Sequence, residues 1–205
     1  MKKPVIAIDG PAGSGKGTIA RLLADRLKFA YLDTGLLYRA LAYLGEEKWK
    51  SVSILEFINS TPKNILRSDE IGNRASTIAK LPQVREMLLQ LQRDFALNPG
   101  KEYEGAILDG RDIATVVVPA ANCKIFITAD LAVRAARRFE SLKQSQSSLT
   151  YENIYKNLAA RDEQDRSREI APLVFSDDYD ILIDTSKDSI EESFTKAHKF
   201  IIARF

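Results

Sequence analysis

The sequence of 205 residues, 45% of them hydrophobic, fits one domain with small insertions and can fill a sizeable core. Its 30 lysines and arginines nearly cancel its 28 aspartates and glutamates, so a net charge of +2 provides no field for nucleic acid or a membrane surface. One cysteine, Cys123, and one histidine, His198, exclude a disulfide framework, a thiolate-rich or His-clustered metal site, and any Ser-His-Asp triad not built on His198.

Met1-Lys2-Lys3 precedes an apolar run, Val5 to Ile8, that Asp9 interrupts. It is too short for a signal-peptide core and nothing approaches a membrane span, so a soluble cytoplasmic protein is expected. Pro4 to Asp9 reads as a buried strand. Ile19, Leu22, Leu23 and Leu27 then mark an amphipathic helix, Ala30 to Asp33 a second strand, and Leu36, Leu37, Ala40, Leu41 and Leu44 a second helix. Residues 45–80 hold helix-like pieces and a turn at Ser60-Thr61-Pro62. Pro82 opens a helix carrying Met87, Leu88, Leu91 and Phe95. Ala106 to Asp109, Cys123 to Ile127 and Asp180 to Asp184 are three further strands. Residues 143–150 form a polar hinge before a charged helix, and Ser189 with Glu192 makes a capping box for a last helix that buries Ile190, Phe194, Ala197 and Ile201. Near-continuous apolar strands alternating with helices predict an α/β fold: a doubly wound, five-stranded parallel sheet with helices on both faces. Cys123 reads as a core residue, His198 as a surface one, and Trp49 as packing residues 45–80 onto the core.

The strongest signal is Gly10-Pro11-Ala12-Gly13-Ser14-Gly15-Lys16-Gly17-Thr18, between a predicted strand and a predicted helix. Glycines there let successive backbone N–H groups face a polyphosphate, the helix start adds positive potential, and Lys16 adds a full charge. Gly17 stands where such loops usually carry Ser or Thr, and the hydroxyl comes one residue later, at Thr18. That G-K-G-T form resembles nucleoside monophosphate kinases.

Asp33 and Asp109 each end a strand beside this loop, where a carboxylate suits Mg²⁺ or a helix N-cap. Arg39 and Arg111 lie at the same edge, and guanidinium forks suit a dianionic monophosphate. Arg161, Asp165 and Arg168 share one helical face; Asp162, Glu163 and Arg166 read as an exposed salt-bridge ladder.

Four collinear motifs over roughly residues 5–185 resemble the bacterial cytidylate kinase family: the loop, Leu32-Asp33-Thr34-Gly35 with Tyr38-Arg39, Leu108-Asp109-Gly110-Arg111-Asp112, and Arg161-Asp162 through Asp165 and Arg168 to Pro172-Leu173. The resemblance implies a single P-loop kinase domain over 1–205, with a monophosphate-binding insertion at 36–99 and a lid at 141–170. It implies ATP-dependent phosphorylation of CMP and dCMP, with Mg²⁺, by a monomer. Thr34, Arg39, Ser76, Arg85, Arg111, Asp112, Arg161, Asp165 and Arg168 would bind substrate, with Ser76, Arg85 and Asp112 at the cytosine edge. Lys16, Arg111, Arg137 and Arg161 would be catalytic, and Asp109 or Asp33 would hold the metal. Arg134, Arg137 and Arg138 would belong to the lid's basic cover, Arg137 matching best. The chain departs from the family's pattern between residues 45 and 70, where typical members carry a small three-stranded sheet and Asn59 to Ser68 leaves room for little more than a turn. An acceptor other than CMP (AMP, UMP or a small alcohol) keeps the same fold. A nucleotide switch of the GTPase kind would need Asn-Lys-x-Asp, which is absent, although Asp69-Glu70-Ile71-Gly72 matches its D-x-x-G string.

Overall fold

The computed structural model describes residues 3–143 and 150–205. Five parallel strands form one sheet: β1 (Val5–Asp9), β2 (Phe29–Asp33), β3 (Gly105–Gly110), β4 (Cys123–Thr128) and β5 (Ile181–Asp184). Their spatial order is β2-β3-β1-β4-β5, every adjacent pair parallel. The helices are α1 (Lys16–Leu27), α2 (Thr34–Leu44), α3 (Ile54–Ser60), α4 (Lys63–Leu66), α5 (Asp69–Ile78), α6 (Pro82–Leu97), α7 (Leu131–Leu142), α8 (Tyr151–Ser167) and α9 (Ile190–Ile202). The predicted alternation is present, and each predicted strand agrees within one residue at either end.

Alternation along the strands divides the core in two. Val5 and Ala7 of β1 join Leu32, Ala106 and Leu108 on the face covered by α2 and α6. Ile6 and Ile8 join Ile107, Ile125 and Ile183 on the face covered by α1 and α9. A strand buried on both faces cannot alternate with polar residues, which is why β1 reads as an unbroken apolar run.

Between α2 and α6 the described chain carries no strand, only a short 3-10 turn and the helices α3 to α5 with their connections, the predicted turn at Ser60 to Pro62 joining α3 to α4. Trp49 packs against the core and donates its indole N–H to Leu41 O at 2.9 Å. Cys123 is fully buried. His198 stacks on Phe194, ring centroids 5.5 Å apart. Two helix readings need correction. Leu22 is 40% exposed, because Ile19, Ala20, Leu23 and Ala24 already cover the sheet side of α1. Ile190 is 59% exposed: the capping box places it in the first turn of α9, beyond the sheet edge that Ala197 and Ile201 pack upon. Asp69 to Gly72 lies within α5 and not after a strand, so it forms no switch loop.

Candidate active site

The loop after β1 curls tightly because neighbouring backbone leaves no alternative. A Cβ on Gly10, at φ +150°, would stand 1.9 Å from Ile127 O of β4. Only glycine fits there. The loop feeds α1, whose N-cap Gly15 offers no side-chain acceptor, so the helix's first N–H groups are left for an anion. Lys16 Nζ bends back to donate to Pro11 O at 3.3 Å. Burial, then the Arg111 charge, pulls the Lys16 ammonium down to about 8.

Asp33 and Asp109 sit opposite each other in the β2–β3 register. Asp109 is 3% exposed, and burial with the Asp33 charge beside it pushes its carboxyl up to about 7. Asp33 instead accepts from Arg67 Nη2 at 2.5 Å. A Cβ on Gly17 would come within 3.2 Å of Asp109 Oδ2, a tight contact, so glycine here leaves that carboxylate its present position beside the loop. Two buried-edge carboxylates facing a phosphate loop suit a hard cation such as Mg²⁺, which takes one or two carboxylates and completes its shell with water and phosphate. No larger cluster of metal-ligating side chains exists among the described residues.

The arginines converge on one cavity of about 820 Å³. Arg111 Nε donates to Asp165 Oδ2 at 2.8 Å, so the α8 carboxylate aims a β3-edge guanidinium. Arg39 donates to Leu66 O at 2.7 Å and Ser68 O at 3.0 Å. Burial, with Arg161 and Arg138 nearby, lowers Arg39 to about 9. Burial and Arg111 lower Arg161 too, and its buried Nε has no hydrogen-bond partner among the described residues. Ten lysines and arginines line this cavity against five carboxylates, an excess of positive charge that calls for a polyanion.

Thr34 Oγ1 donates to Asp109 O at 2.7 Å. Ser76 Oγ donates to Gly72 O at 3.1 Å, and Ser76 and Asp112 line the large cavity. Arg85 does not; it lines a smaller neighbouring cavity of about 290 Å³ that shares Tyr38 and Asp112 with the first. Arg85 and Asp112 form an ion pair with each other, and Arg168 Nη2 lies 3.9 Å from the same carboxylate. Gly10, Pro11 and Ser14 sit inside the loop, off the cavity wall, while Ala12, Gly13, Gly15, Lys16, Gly17 and Thr18 line it.

The basic cover divides three ways. Arg134 is buried, not poised over the cavity mouth: it pairs through both terminal nitrogens with Asp162, at 3.1 and 2.5 Å, and also donates to Ala12 O and Ala129 O. Asp162 is therefore buried as well, and the expected exposed ladder loses that member because α7 packs where solvent was assumed. Arg137 donates to Thr185 Oγ1 at 2.9 Å and Thr185 O at 2.6 Å, and Thr185 Oγ1 donates to Ser14 O of the loop. Arg138 reaches Asp69 at 2.7 Å and Arg67 O at 2.9 Å, tying α7 to the segment before α5. Most of the polar hinge expected at 143–150 lies outside the described residues.

Sequence reasoning missed Arg67, which reaches Asp33 from a segment whose fold no motif marks. It also passed over Asp9, an acid closing an apolar strand immediately before the loop, which is wholly buried and accepts from Ile113 N and Ala114 N.

A family model described as cytidylate kinase matches residues 6–64 and 50–202. A cytidylate kinase of Rhodospirillum rubrum is 42% identical over 202 residues, covering 94% of each chain. One from Azorhizobium caulinodans is 45% identical over 202 residues, 94% of this chain and 95% of that one. Among solved structures, a shikimate kinase from Bacteroides thetaiotaomicron aligns at TM-score 0.54 with 14% identity, over 97% of this chain and 98% of that one. An uncharacterized protein from Eubacterium ventriosum aligns at 0.60 with 15% identity, over 98% and 100%. These two structures bear on the fold alone.

Proposed function

The chain belongs to the cytidylate kinase family, and we propose that its cleft works by positioning two phosphate groups in line and neutralising the charge between them. The reaction is ATP-dependent phosphorylation of CMP and dCMP. What carries the mechanistic reading is the convergence on one cavity of the phosphate loop, Lys16, and the guanidiniums of Arg39, Arg111 and Arg161.

The uncapped start of α1 and Lys16 take the ATP phosphates. Arg39, Arg111 and Arg161 hold the acceptor monophosphate, while Asp165 aims Arg111 and, with Arg168, meets the sugar. An oxygen of the dianionic acceptor attacks the γ-phosphorus as the bond to the departing ADP oxygen breaks; no proton needs removal, so no general base is needed. Mg²⁺ bound with ATP would supply charge neutralisation at the phosphates, and Asp109 with Asp33 would hold it. Arg137, anchored through Thr185 to the loop, and Arg161 counter the charge that develops during transfer. Thr34 and Ser76 line the acceptor side, and Asp112 with Arg85 reads the base: the carboxylate accepts from the cytosine N4 amine and the guanidinium donates to N3 and O2. The pair's bond to each other keeps both charges satisfied until a base replaces it. Residues 36–99 and, within 141–170, the helix α8 are the two walls we assign to closing over substrate. Every group invoked belongs to this chain, and the enzyme is taken to act as a monomer. It works in the cytoplasm, where ATP and reduced thiols coexist. Among the described residues no helix is long and apolar enough to cross a membrane.

A coupled assay with CMP, dCMP, UMP and AMP tests this. Uracil presents O4 lone pairs to Asp112 and N3–H to Arg85, two mismatches that should lower kcat/KM by on the order of 10²-fold relative to CMP. Asp112→Asn should narrow the ratio, since an amide can turn its N–H toward O4. Equal use of all four nucleotides would overturn the reading.

A further inference from the structure

Directly after β3 the chain makes a five-residue π-helical turn, Ile113–Val117, and Asp112 is its N-cap. Asp112 O accepts from Val116 N at 2.9 Å and Val117 N at 3.1 Å, so Asp112 rides on the turn itself. A turn this short has no stability of its own. Its free N–H groups are satisfied from outside: Ile113 N donates to Asp9 Oδ1 at 2.9 Å and Ala114 N to Asp9 Oδ2 at 2.8 Å. Tyr179 supplies a third bond, its hydroxyl donating to Asp9 Oδ2 at 3.1 Å. At the other end Arg93, on α6, donates from Nε to Val117 O at 3.0 Å and from Nη2 to Val116 O at 3.1 Å. An acid thus closes the donor end of the turn and a guanidinium the acceptor end, each matched to the local dipole.

We propose that Asp9 and Arg93 are positioning residues which, by clamping the turn Ile113–Val117 from both ends, fix the angle at which Asp112 and Arg111 meet the acceptor nucleotide. Neither side chain lines the large cavity, so neither touches substrate. Asp9 is wholly buried, and a buried carboxylate is an expensive way to fill space. Its cost is understandable where two backbone N–H groups must be held rigidly against the strand that carries the phosphate loop. The clamp ties the donor's loop, which begins one residue after Asp9, to the residue that reads the acceptor's base. α6 adds the second tie, since Arg85 and Arg93 sit eight positions apart on that one helix.

The inference rests on the assignment of Asp112 to the base, and its test keeps the two apart. Kinetic constants for CMP, UMP and ATP are measured for wild type, Asp9→Asn and Arg93→Gln, the last also in an Asp112→Asn background. Each single clamp variant should raise KM for CMP at least about fivefold and narrow the CMP-to-UMP ratio, while KM for ATP moves less than about twofold. In the Asp112→Asn background Arg93→Gln should leave the CMP-to-UMP ratio unchanged, because its route to the base is already cut. If the variants shift only thermal unfolding, or raise both KM values together, the clamp is scaffold and the proposal falls. Should Asp9→Asn fail to fold, the half-buried Arg93 decides alone. A wild type indifferent to CMP and UMP would remove the base assignment first, and the inference with it.

Discussion

Lys16 is half-buried, its ammonium lowered to about 8 by desolvation and by Arg111, so the empty protein draws no stability from that charge. Lys16→Met should therefore melt at or above the wild-type temperature, while turnover falls by roughly 10²-fold or more. Retention of half the activity would remove Lys16 from the mechanism. Asp9 gives a pH signature. Burial raises its carboxyl from 3.8 to about 6, so between those values the folded protein holds a proton that the unfolded chain has released. Its contribution is thus most favourable below the unfolded value and is lost as pH rises through the folded one. Chemical denaturation at about pH 4.5 and about pH 7 should show wild type losing about 2 kcal/mol relative to Asp9→Asn across that interval; parallel behaviour would refute the shift. At this scale the sequence was legible wherever spacing encodes contact. Gly17 was readable as a departure, but its closeness to Asp109 Oδ2 needed the β1–β3 pairing.

Strands and helices were more legible than their partners. Apolar runs and the Ser189–Glu192 box located β1 through β5 and the start of α9, because period and capping are local. What escaped was which helix covers which: Arg134 and Asp162 looked like solvent charges until α7 packed on α8 and buried both. Such a pair stabilises little beyond an apolar substitute, yet losing one partner strands the other. Arg134→Met should destabilise the fold by about 3 kcal/mol or more in urea, and a loss below about 1 kcal/mol would make the pair incidental. Of this pair, α8 lies within the proposed lid, residues 141–170. Hydrogen exchange over α8 should slow when CMP and a non-hydrolysable ATP analogue are added together, and unchanged exchange there would leave the region a fixed wall.

For the molecule as a whole, the parallel sheet puts all its carboxyl ends at one edge, so β2, β3 and the segments that follow the other strands meet both insertions there. The cleft's ten cations and five carboxylates, set apart from the chain's 30 and 28, leave 20 cations against 23 acids for the rest of the protein. The modest total of +2 therefore conceals an interior basin of opposite sign to its surroundings. Field lines concentrated in that basin reach outward about 8–10 Å at physiological salt. A phosphate ester that enters the cleft meets that positive excess at close range, while the near-neutral remainder of the chain offers no comparable pull outside it.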